Sequence, residues 1–76
     1  MNRQRRNVLQ RIKDHLSAFH DELETLHGEE EEYLENIPEN LQNSEKYEKA
    51  EATVNSLDDA IDQLVEAIHS IEMACE

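Results

Sequence analysis

The octapeptide Ile37-Pro38-Glu39-Asn40-Leu41-Gln42-Asn43-Ser44 decides the fold of this chain. Pro38 disfavours helical backbone at Ile37 and so ends the helix before it. Asn43 or Ser44 can accept hydrogen bonds from the free N–H groups that open the next helix, and Glu45, just inside it, suits its positive N-terminal dipole. Upstream, Leu9, Ile12, Leu16, Phe19, Leu23, Leu26, Tyr33 and Ile37 follow alternating three- and four-residue steps, interrupted only at Glu30. Downstream, Tyr47, Ala50, Val54, Leu57, Ile61, Leu64, Ile68, Ile71 and Cys75 do so without a break. Such spacing is a heptad seam on one face of a helix. The expectation is therefore an all-α, coiled-coil-like antiparallel hairpin in a single domain, residues 1–76. Its helices span about 3–36 and 44–75, with a loop at 37–43. Gly28 costs roughly 1 kcal/mol inside a helix, but the heptad phase is the same on both sides of it, so one continuous first helix is expected, with a break there as the alternative.

Folding about residue 40 sets Leu9 against Ile71, Leu16 against Leu64, Phe19 against Ile61 and Leu23 against Leu57. Glu30 would face the small Ala50 near Lys46 and Lys49, a polar layer able to fix register. The two flanks of this seam differ. One places Arg6 by Glu72, His20 by Asp58 and His27 by Glu51. The other sets Val8 beside Ala74, His15 beside Ala67 and Glu22 beside Ala60. Alanines at heptad spacing widen the apolar face and let another helix approach closely. Val8, His15, Ala60, Ala67 and Ala74 are thus the expected self-association residues, giving a homodimer that is a four-helix bundle; the alternative is that the alanines only favour helix.

Composition points the same way. The chain has 76 residues, one glycine, one proline and no tryptophan, with 37% hydrophobic and 34% charged residues, far from a sheet-rich enzyme. A core this small is marginal without disulfides, metal or a partner subunit. The single cysteine, Cys75, excludes an internal disulfide and a zinc knuckle and fits a reducing cytoplasm. No continuous apolar stretch follows the basic start, so neither a secretory signal nor a membrane span is expected. Net charge is −12, and residues 1–13 hold five cations and no acid, leaving −17 on the remainder. That body repels nucleic acid and anionic lipid.

No constellation promises chemistry. Glu24–His27 and Glu66–His69 have the Glu-x-x-His spacing of di-iron bundles, but Glu24, Glu66 and His69 lie at outer heptad positions and the two pairs cannot share a core. Asp58, Asp59 and Asp62 lack the glycine and spacing of a calcium loop. His15, His20 and His27 read as flank polarity, with titration near neutrality as the alternative. Cys75 sits in an acidic last turn without a base to activate it. No nucleophile-base pair or phosphate-binding loop is present. The expectation is no catalytic activity, no cofactor and no metal. Arg3, Arg5 and Arg6, unfavourable at a helix N-terminus, are expected to lie against Glu72 and Glu76.

The acids support two readings. Glu29 to Glu32, with Glu35, Glu39, Glu45, Glu48 and Glu51, can be a solvated surface that keeps the chain soluble. Alternatively, Glu24, Glu31, Glu35, Glu48, Asp59, Asp62 and Glu66 form a partner surface that imitates nucleic acid and occupies a cationic groove. Seventeen surplus charges on a hairpin about 50 Å long give about one per 3 Å, roughly half the linear density of duplex DNA.

The stretch from Glu32 to Tyr47, followed by Leu57-Asp58-Asp59-Ala60-Ile61 and Leu64-Val65-Glu66-Ala67-Ile68, resembles small acidic helical-hairpin proteins encoded by bacteriophages and integrated mobile elements of gut-type bacteria. The resemblance covers about residues 20–72. It implies a bacterial cytoplasm and an accessory role and transfers no site residues. Because phage-encoded small acidic proteins include inhibitors of host defence nucleases, it adds to the mimicry reading. Three functions follow as expectations: a protein-binding hairpin acting as a dimer, a nucleic-acid-mimicking inhibitor of a DNA-binding or RNA-guided enzyme, and a passive structural spacer.

Overall fold

The computed structural model describes all 76 residues as two helices, α1 (Arg3–Glu35) and α2 (Glu45–Ala74), joined through a 3₁₀ turn at Glu39–Leu41. They pack along each other as an antiparallel hairpin, a rod 59 Å long and 15 by 13 Å across. Each helix opens on a side-chain cap. Asn2 Oδ1 accepts from the Arg5 N–H at 2.8 Å. Ser44 Oγ accepts from the Tyr47 N–H at 3.2 Å and donates to the Leu41 carbonyl at 2.6 Å, so of the two candidate caps Ser44 is the one used. Pro38 is extended, with φ −56° and ψ 146°, and the chain reverses there. No helix is long and apolar enough to cross a membrane.

α1 runs unbroken through Gly28, where an added Cβ would meet no atom within 4 Å. Backbone entropy is then the main effect of a substitution, and Gly28→Ala should stabilise the hairpin by about 1 kcal/mol. Urea unfolding followed by circular dichroism measures this; a destabilised variant would mean that α1 bends at Gly28 in solution.

The expected flank pairings and the rotation of α1 require correction. Lys13 Nζ lies 3.9 Å from Glu72 Oε1, and His27 Nε2 lies 2.7 Å from Asp58 Oδ1. On this flank His27 therefore meets Asp58, not the expected Glu51, and Lys13 rather than Arg6 meets Glu72. α1 is also rotated about its axis. Its inward residues are Leu9, Lys13, Leu16, His20, Leu23, His27, Glu30 and Leu34, whereas Ile12, Phe19, Leu26 and Tyr33, read as seam positions, are exposed. α2 keeps the expected face inward, from Tyr47 through Cys75. The rotation leaves Leu9, Leu16 and Leu23 on the seam and turns His20 and His27 towards carboxylates: Asp21 at 3.3 Å and Glu24 at 3.5 Å for His20, Asp58 at 2.7 Å and Glu31 at 3.8 Å for His27.

Other expected pairings also fail. Lys46 stacks over the Tyr33 ring at 5.6 Å and Lys49 pairs with Glu45 at 3.2 Å, so neither lysine neutralises Glu30. Arg3, Arg5 and Arg6 form no ion pair with Glu72 or Glu76, and the Arg6 guanidinium donates to the Met1 carbonyl at 3.2 Å.

Candidate functional site

The hairpin has one apolar edge, and both helices build it. On α1, Arg5, Ile12, Phe19, Leu26 and Tyr33 recur every seven residues, two helical turns, and so stack in one row. On α2, Lys46, Thr53, Ala60, Ala67 and Ala74 form a second such row. The Lys46–Tyr33 contact pins the rows side by side. Seven-residue steps from it place Leu26 near Thr53, Phe19 near Ala60 and Ile12 near Ala67, a large residue beside a small one at each level.

This edge stands open to solvent. Phe19 is 54% exposed, Leu26 53%, Tyr33 41% and Ile12 40%. Buried residues are confined to Ile37, Ala50 and Val54, at the loop end. The accessible surface is 5847 Å², whereas a folded monomer of 8.9 kDa ordinarily exposes about 4,800 Å². An elongated rod accounts for part of that excess, and the uncovered edge contributes to it.

Charge marks the same strip. The chain carries nineteen acids, none of them on either row. The rows immediately outside are Val8, His15, Glu22 and Glu29 on α1 and Lys49, Ser56, Gln63 and Ser70 on α2, which add two acids. Seventeen therefore lie elsewhere on the rod or its loop.

Among the expected self-association residues, Ala60, Ala67 and Ala74 line this strip, with Ala60 half-buried and the other two exposed. Val8 and His15 stand one row outside it, exposed on α1. The register sets Ile12 and Phe19, not His15 and Glu22, beside Ala67 and Ala60. Sequence reasoning missed these large residues because their spacing equally suits an internal seam. The signal that separates the two roles is the neighbouring column Lys13, His20, His27 and Leu34, which offers α1 a second inward face.

The expected acidic residues are all exposed and are spread around the rod. Glu24 and Glu31 lie on the edge opposite the apolar strip, beside His20 and His27. Glu48 and Asp62 lie next to that edge, Asp59 and Glu66 lie on the back of α2, and Glu35 closes α1. The two Glu-x-x-His pairs stay apart, Glu24 and His27 engaged with the histidine edge and Glu66 and His69 exposed on α2. No family model matches the chain, and no curated protein or solved structure matches it either.

Proposed function

We propose that this chain is a non-catalytic protein-binding hairpin that acts through its acid-free apolar edge. One observation carries the reading: Ile12, Phe19, Leu26 and Tyr33 are exposed in a row beside Ala60, Ala67 and Ala74, on a strip without acids, in a chain of net charge −12. Exposed apolar surface of that extent is an interaction site in soluble proteins, and a stripe of large residues flanked by alanines receives a helix or a helical pair. To test it, the immobilised chain is exposed to an extract of bacterial cells and the stoichiometrically retained protein is measured. Phe19→Glu and Ala67→Glu are expected to weaken retention about thirtyfold, the ~2 kcal/mol of a central anchor. Lysine substitutions at Glu31, Glu35, Glu48 and Asp62 are expected to leave it intact. The opposite pattern would sink the reading.

The distribution of charge favours a second reading, in which the remaining surface imitates nucleic acid for a cationic groove of a host DNA-binding or RNA-guided enzyme, in the bacterial cytoplasm that the phage-type resemblance implies. Its support is that seventeen of nineteen acids avoid the apolar strip on a rod 59 Å long. Binding of this kind weakens steeply with salt and is lost with the four lysine substitutions. A passive spacer would be indifferent to both sets.

A further inference from the structure

We infer that the occupant of the apolar edge is a second copy of this chain, docked with its rod antiparallel to the first. The inference rests on the reading of this edge as a protein-binding surface and names its partner. Size is the first argument. From Arg5 to Tyr33 the strip is about 42 Å long at 1.5 Å per residue, and the rod is 15 Å across. Each copy thus offers on the order of 600 Å², enough for the roughly 1,000 Å² total of a specific interface.

Charge sets the orientation. At the open end, residues 1–13 and 71–76 hold five cations against two acids, a net of +3. At the loop end, residues 29–55 hold nine acids against two lysines, a net of −7. With rods antiparallel, the unpaired arginine turn of each copy lies along the acidic loop end of the other. With rods parallel, the two acidic ends would adjoin and repel. The rows themselves fit this symmetry. Phe19 is the midpoint of the α1 row and Ala60 of the α2 row, and the two sit at the same level. A two-fold axis through that level, perpendicular to the rod, superposes the strips over their whole length. It brings Phe19 to its own copy, Ile12 to Leu26, and Arg5 to the Tyr33 face, where a guanidinium finds both an aromatic ring and the carboxylates of Glu29 and Glu32.

The native cysteine reads this arrangement without any mutation. A nitroxide on Cys75 stands fifteen residues from the level of Ala60, so two labels in the antiparallel dimer are about 45 Å apart at 1.5 Å per residue. The expected result is light-scattering mass of twice 8.9 kDa, a dipolar distance near that value, and loss of both in Phe19→Glu. A dimer whose labels lie within about 20 Å, the width of a bundle with helices 8–10 Å apart, would overturn the antiparallel arrangement. A chain that stays at the monomer mass up to millimolar concentration would overturn self-association. In that case, a partner retained from extract and lost with Phe19→Glu leaves the protein-binding reading standing, and the absence of any such partner removes both.

Discussion

Val54→Asp is expected to unfold the hairpin. Val54 is 7% exposed and is one of three buried residues, with Ala50 a turn before it and Ile37 across the reversal. An aspartate there loses the buried methyl groups and places a carboxylate against them with no cation in reach, since Lys46 is committed to Tyr33 and Lys49 to Glu45. An unpaired buried charge costs about 3–5 kcal/mol. At roughly 0.05–0.15 kcal/mol per residue, a chain of 76 residues has on the order of 4–11 kcal/mol of stability in all. Circular dichroism at 25 °C should therefore show a largely lost helical signal. The control is Ala52→Asp, two residues away and exposed, which changes only helix propensity and costs about 0.7 kcal/mol at most. Equal stability of the two variants would mean that the loop-end cluster does not hold the helices together.

The concentration of burial at the loop end explains what could be read from the sequence. Pro38, Ser44 and the unbroken α2 seam act locally: a proline ends a helix and a serine caps one wherever they stand, so the two helices and their reversal follow from the residues alone. Register does not act locally. It depends also on which of the two α1 columns beside Leu9, Leu16 and Leu23 turns towards α2. The column Ile12, Phe19, Leu26 and Tyr33 is the more apolar, which is why hydrophobic periodicity selects it. The column Lys13, His20, His27 and Leu34 faces inward instead, and carboxylates on both helices meet its polar members.

The difference in site follows from that rotation of α1. The alanine row was legible because Ala60, Ala67 and Ala74 repeat at seven residues whatever lies opposite. Its complement was not. Turning α1 removes Val8 and His15 to the margin and brings Ile12 and Phe19 beside the alanines, so the strip is wider and more apolar than a row of small residues alone. The acids, by contrast, were visible individually but not as a distribution. Their avoidance of one strip emerges only when both helices are set in register.

Replacing the seam histidine His27 by leucine is expected to stabilise the fold by about 1–2 kcal/mol. The His27 side chain is 19% exposed, and its Nε2 lies 2.7 Å from Asp58 Oδ1 and 3.8 Å from Glu31 Oε2. Distance alone would make this a strong contact, yet Nε2 is buried and has no aligned hydrogen bond. The alignment is the better guide to energy, because a hydrogen bond weakens steeply as its angle closes. A buried polar atom left unsatisfied costs about 1–3 kcal/mol. Asp58 and Glu31 are half open to water, at 56% and 51%, so they keep their hydration when the ring is removed, and the ion pairs given up are worth at most about 1 kcal/mol. Leucine adds an apolar residue to a column that already holds Leu34. Chemical denaturation of His27→Leu and His20→Leu separates the contributions: His20 has an ion-pair contact only within α1, to Asp21 and Glu24, so it carries no interhelix pairing to lose. If His27→Leu weakens the hairpin by more than 1 kcal/mol while His20→Leu does not, the His27–Asp58 contact is a net stabilising bridge between the helices and the prediction is overturned.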